Sequence, residues 1–164
     1  MKKLILLILC ANFVFAAQLN FKDVTLDEFE LYGVSKKIGF KSKEQRDMLI
    51  VNLWEEFFNS KAFRNAKNDD KVIVVYSNYQ RNTFDCFIGL KTEAKIPGVR
   101  AMLIPKTNFN KTTITYTKSL DLDKLWSDIN KIRIKRDFKM DMEEYLISDL
   151  MKPSYKFNIY LSKK

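Results

Sequence analysis

Met142-Glu143-Glu144-Tyr145 places a carboxylate beside a phenol in a segment that alternates as a strand does. Successive side chains of a strand point to opposite faces, so Glu143 and Tyr145 share one face while Met142 and Glu144 share the other. A carboxylate on a face with aromatic rings can hold a cation or an organic amine. If burial raised its pKa, it could also act as a general base. The plainer alternative is a surface glutamate on an edge strand, where charge discourages unwanted pairing.

Much other chemistry is excluded by what the chain lacks. It contains no histidine, so a Ser-His-Asp triad, a Cys-His pair and a histidine metal site are all ruled out. Asp141, Glu143 and Glu144 cluster around one strand, but no further oxygen ligands for a metal can be identified, and Asp69-Asp70 reads as a solvated loop pair. The four glycines are dispersed and form neither a phosphate loop nor a dinucleotide fingerprint. No metal or cofactor is therefore expected. Cys86 sits in the strand-like Phe84-Asp85-Cys86-Phe87-Ile88 and reads as a small buried residue.

Aromatic residues are the other resource. Tyr76, Tyr79, Tyr116, Tyr145, Tyr155 and Tyr160 all fall on or beside predicted strands. They can line a cleft for a planar ligand or fill the core. The two tryptophans occupy one local frame, Leu53-Trp54-x-x-Phe57 and Leu125-Trp126-x-x-Ile129, 72 residues apart. This suggests a strand–helix–strand–strand unit used twice, with a cleft between the copies.

The elements that would position these residues can be read from periodicity. Residues 17–29 read as a loose entry and Phe29–Phe40 as the first strand. Ser42 and Gln45 fit a capping box for a helix whose stripe is Ile50, Leu53, Trp54, Phe57 and Phe58. Lys61–Asp70 reads as a polar loop, Lys71–Tyr79 and Thr83–Glu93 as strands, and Pro97-Gly98 as the bridge between halves. Val99–Ile104 and Thr112–Lys118 follow as strands. A helix capped by Ser119 or Asp121 carries Leu122, Leu125, Trp126 and Ile129. Met142–Ile147 and Tyr155–Ser162 close the chain as strands.

At the N-terminus, Met1-Lys2-Lys3 precedes an apolar run from Leu4 to Phe15 that is broken only by Asn12. This reads as a secretory signal peptide over residues 1–16, cut before Ala17, with residues 17–164 forming one domain. The expected location is outside the inner membrane, periplasmic in a cell with two membranes. Losing Lys2 and Lys3 takes the formal charge from +9 to +7. Export and the lack of a nucleic-acid motif argue against a nucleic-acid partner. The basic runs read as a solvated face attracted to anionic lipid headgroups or acidic partners.

In their order and spacing, these segments resemble the GyrI-like small-molecule-binding domain, also found as the effector-binding domain of AraC- and MerR-type transcription regulators. The resemblance runs from Phe29 to Lys163. It is carried by Tyr32-Gly33-Val34-Ser35, Leu53-Trp54-Glu55-Glu56-Phe57, Tyr76-Ser77-Asn78-Tyr79, Phe87-Ile88-Gly89, Ile104-Pro105 and Lys124-Leu125-Trp126. Met142-Glu143-Glu144-Tyr145 is similar to the family's Phe-Glu-x-Tyr strand, and Tyr155–Leu161 to its closing strand. The resemblance implies an α+β fold in which two strand–helix–strand–strand units form a curved antiparallel sheet with two helices and a central groove. It also implies a lipophilic, aromatic or cationic ligand approached by Glu143. Tyr145, Tyr79, Trp54 and Tyr116 would supply aromatic walls, with Phe109 the other candidate for the aromatic after Ile104-Pro105. Some relatives bind DNA gyrase, and some hydrolyse electrophilic small molecules with a glutamate. Two departures stand out: Asn78-Tyr79-Gln80 replaces an Asp-Tyr-Glu segment, and no DNA-binding domain accompanies the unit.

The expectation is an exported small-molecule-binding protein rather than an enzyme. The alternatives are a glutamate-dependent hydrolase of a reactive small molecule and a protein-interaction module with a basic face.

Overall fold

The computed structural model describes residues 19–164, so the signal peptide read from residues 1–16 lies outside the described residues. The elements run β1 Lys22–Leu26, β2 Phe29–Gly39, α1 Lys43–Phe58, α2 Lys61–Arg64, β3 Lys71–Gln80, β4 Thr83–Lys91, β5 Arg100–Ile104, β6 Thr107–Thr117, α3 Leu122–Lys131, β7 Met140–Leu146 and β8 Ser154–Ser162. The strands form one antiparallel sheet in the order β1-β6-β8-β7-β3-β4-β2-β5.

That order maps onto itself when β1–β4 are exchanged with β5–β8. The repeated unit is therefore strand–strand–helix–strand–strand, one strand longer than the sequence pattern suggests. The extra strand of the first unit is β1, which lies where a loose entry was expected. It pairs with β6 of the second unit, while β5 pairs with β2 of the first. Each edge is thus supplied across the repeat boundary. Alternation in Lys22-Asp-Val-Thr-Leu26 is too short and too polar to announce a strand, and only pairing with β6 satisfies its backbone.

Local signals place the helices. Ser42 Oγ accepts from the Gln45 backbone N–H at 3.2 Å, and Gln45 Oε1 accepts from the Lys41 N–H at 2.8 Å, one residue beyond the expected cap. Asp121 caps α3 by accepting from the Lys124 N–H at 3.0 Å. The short α2, where only a loop was expected, is capped by Ser60, which accepts from the Phe63 N–H.

Both helices α1 and α3 cover one face of the sheet. There Leu53, Phe57 and Ile129 pack on Val72, Val74, Ile88, Leu90, Phe157 and Ile159. Burying Leu53 and Phe57 contributes about 1.5–3 kcal/mol each. The opposite face carries a second core of Leu31, Ile73, Val75, Phe87, Ile104, Phe109, Met142 and Tyr160, with Val24 and Leu26 of β1 packed against it. Among the described residues, no helix contributes to that core. It joins strands from both ends of the sheet because the sheet curls around it. Two-residue links, Asp27-Glu28 and Pro105-Lys106, hold the ends together, and Lys106 pairs with Asp27 at 3.1 Å.

Gly33 sits at the tightest strand contact, directly across from Gly89. A Cβ on Gly33 would lie 1.9 Å from the Ile88 carbonyl oxygen, a backbone atom that cannot swing aside. Gly33→Ala is expected to cost about 3 kcal/mol or more, the upper end for overpacking. Denaturant unfolding checks this, and a loss below about 1 kcal/mol would show that the strands can spread.

Candidate functional site

β7 lies between β3 and β8 in the middle of the sheet, so Glu143 is not an edge glutamate. Its side chain faces the helices and is only 4% exposed. Three neutral donors reach it. The Trp126 indole N–H donates to Oε1 at 2.8 Å, while the Tyr145 and Tyr76 hydroxyls donate to Oε2 at 2.8 and 3.1 Å. These donors come from α3, β7 and β3. No cationic side chain pairs with Glu143 among the described residues.

Burial raises the pKa of Glu143 above the ordinary glutamate value, and the three hydrogen bonds offset only part of that effect. Burial and the neighbouring Glu143 charge push the Tyr76 and Tyr145 hydroxyls well up, which keeps both protonated as donors.

Glu143 lines a cavity of about 860 Å³ between the sheet and helices α1 and α3. Trp54, Tyr76, Tyr116, Trp126 and Tyr145 form its aromatic wall. The rings brace one another edge to face: Trp54 meets Tyr145 at 5.8 Å between centroids, and Tyr76 meets Trp126 at 6.0 Å. Tyr116 is fixed by stacking on Tyr155 at 4.7 Å. At the mouth, Arg46 of α1 bonds Asp47 at 2.7 Å and Asp123 of α3 at 2.6 Å, tying the two helices together.

A second buried carboxylate lies two residues before Glu143 on the same face. Asp141 is fully buried and pairs with Arg136 at 2.6 Å. It also accepts from the Tyr79 hydroxyl at 2.7 Å, and Asn130 accepts from Arg136 at 2.8 Å. The Arg136 guanidinium in turn lies 4.4 Å from the Phe138 ring centre. Phe138 adopts φ 57°, a left-handed conformation unusual for a bulky residue, and its exposed ring lines the cavity rim.

All five residues singled out from sequence, Glu143, Tyr145, Tyr79, Trp54 and Tyr116, line this one cavity. Phe109, the other candidate, is in the core of the opposite face. Trp126, which the sequence places only on a helical stripe, lines the cavity and donates to Glu143. Arg136 was hidden in a basic run that reads as solvent-facing. Cys86 is buried, as its strand context suggested, and burial pushes its thiol pKa up. Among the described residues, no group of three or more Cys, Asp or Glu side chains is arranged to hold a metal ion.

A model of the Cass2 family, the integron-associated effector binding proteins, matches residues 24–162. The chain belongs to this family. Its architecture is that of the GyrI-like effector-binding fold, as the segments above resembled. Among solved structures, an integron cassette protein from the mobile metagenome of Vibrio cholerae superposes with a TM-score of 0.67 at 19% identity, covering 88% of this chain and 95% of its own. SAV2435, solved bound to tetraphenylphosphonium, superposes with a TM-score of 0.68 at 10% identity, covering 88% and 94%. At these identities the likeness establishes the fold. No curated protein matches the Cass2-family chain in sequence.

Arg136→Ala would leave the Asp141 charge buried without a counter-ion. A loss of about 3–5 kcal/mol in unfolding free energy is expected, as for other broken buried pairs. A loss within about 0.5 kcal/mol would mean that water reaches Asp141 and the pair is not structural.

Proposed function

We propose that this protein is an exported binder of small aromatic, lipophilic cations, held in the cavity beside Glu143. One observation carries the reading: a buried carboxylate held only by neutral donors and walled by aromatic rings. A cation placed there would supply the missing counter-charge, and ring faces would add cation–π attraction beside the buried carboxylate. The wider field agrees. In a chain of formal charge +9, the cavity lining holds Asp47, Asp121, Asp123 and Glu143 against Arg46 and Arg136. The lipophilic cation bound by SAV2435, a protein of the same fold, supports the ligand class. The sequence of residues 1–16 supports export.

Trp54 and Trp126 are the only tryptophans and both line the cavity, so intrinsic fluorescence reports occupancy. Tetraphenylphosphonium is expected to change the emission saturably. Glu143→Gln should weaken binding by roughly tenfold or more, the effect of losing a charge-assisted contact. Unchanged affinity in that variant would place the ligand elsewhere.

The pH dependence follows from the raised pKa. Below that value the carboxyl is neutral and offers a cation no charge. Affinity should therefore fall as pH drops through the raised Glu143 pKa and level off above it. Binding at a pH near that value should release protons, measurable by titration calorimetry in buffers of different ionisation enthalpy. Affinity of Glu143→Gln should lack this slope.

A further inference from the structure

The face of the sheet that turns away from the cavity carries an unusual arrangement of lysines. Lys22 of β1 stands directly across from Lys111 of β6, and Lys71 of β3 directly across from Lys91 of β4. Like charges in cross-strand register repel and destabilise a sheet. Two such pairs share one face. Lys22 alternates with Val24 and Leu26, which pack in the second core. The Lys111 ammonium sits 5.2 Å from the ring centre of Tyr160, and that of Lys91 sits 4.1 Å from the ring centre of Phe29; both rings also belong to that core. Lys71 reaches Glu144 on the same side at 3.3 Å. Alternation along β8 adds Lys156, two residues before Asn158, which bonds Glu144.

The counter-charge on this face is sparse. Its strand carboxylates are Glu144, already shared among Lys71, Asn158 and Tyr160, and Asp85, which bonds Asn78. Lys22, Lys71 and Lys156 are exposed, and Lys91 and Lys111 are half-buried with their ammonium groups over aromatic rings. The lysines lie along six adjacent strands of the curled sheet, from β1 to β4, or roughly 24 Å measured along its curve at the usual spacing of strands. An extended anionic surface would supply the counter-charge that this face lacks.

We propose that this lysine face docks on anionic phospholipid headgroups and leaves the cavity, on the other face, open to water. Charge complementarity argues for the anionic surface, and the export read from residues 1–16 argues for lipid, because an exported chain emerges at a bilayer.

The test uses the full chain and vesicles of phosphatidylcholine alone or mixed with phosphatidylglycerol. The N-terminal segment is common to every sample, so the ratio of binding to the two vesicle types reads the face. The parent is expected to prefer the anionic vesicles and to lose that preference as salt rises. Replacing Lys22, Lys71, Lys91 and Lys111 by Gln should reduce the preference several-hundred-fold, at roughly fivefold for each lysine near the surface. The same variant should unfold at a similar temperature, because the relief of two repulsive pairs offsets the lost Lys71–Glu144 and cation–π contacts. A control with Lys131→Gln at the end of α3 and Lys135→Gln just beyond it should keep most of the preference.

Equal binding to both vesicle types overturns the proposal, as does an equal loss in the control. A lower unfolding temperature in the four-site variant would show that the lysines serve the fold. Salt-dependent binding to duplex DNA, abolished by the same substitutions and with no vesicle preference, would assign the face to nucleic acid instead.

Discussion

Glu143 is an uncompensated carboxylate held in the middle of a sheet, and the surrounding architecture is arranged around that constraint. Desolvation disfavours its charge, and three neutral donors only partly answer this. The donors arrive from three separate elements, so β3, β7 and α3 must be in register for any of them to reach it. The contrast with Asp141 is instructive. Two residues away on the same face, it is equally buried but tied to Arg136 and Tyr79. Asp141 has an internal counter-charge, and Glu143 has none among the described residues.

The duplicated unit explains how the cavity comes to exist. Two copies of one strand–strand–helix–strand–strand pattern share a sheet, and their helices lie on the same face with a gap between them. The exchange of edge strands across the repeat boundary binds the halves into one body, and the second core seals the opposite face without any helix. The scaffold is symmetric, but the site is not. Trp54 and Trp126 occupy equivalent frames, yet only Trp126 donates to Glu143, while Trp54 braces Tyr145. The cavity lining gathers carboxylates, whereas two cross-strand lysine pairs lie on the opposite face.

Much of the fold was legible because it rests on local pattern. The helix stripes, the caps at Ser42 and Asp121 and the repeated Leu-Trp frame are all short-range signals. Strands that sit in the middle of the sheet, such as Lys71–Gln80, announce themselves by runs of β-branched residues. The strand β1 did not, because an edge strand with one apolar face and five residues carries too little pattern. The sequence did not disclose the roles of Trp126 and Arg136 for a related reason. A tryptophan on a helix stripe and an arginine in a basic run look the same in sequence whether they face core, solvent or cavity.

The sequence by itself determined which groups were available: a carboxylate and a phenol on one strand face, a wealth of aromatics, no histidine and a doubled helical frame. Side-chain alternation and helical periodicity are properties of the backbone and follow directly from residue order. Which groups meet was decided only by tertiary structure. Tyr79 shows why. Strict alternation from Val72, Val74 and Tyr76 would turn it to the far face. The register shift between Ser77 and Gln80, with Asn78 in the left-handed region, turns it back toward the cavity to meet Asp141. Likewise, burial of Glu143 without a cation depends on β7 lying between β3 and β8 and on α3 closing above it. Those are long-range pairings that no local pattern encodes.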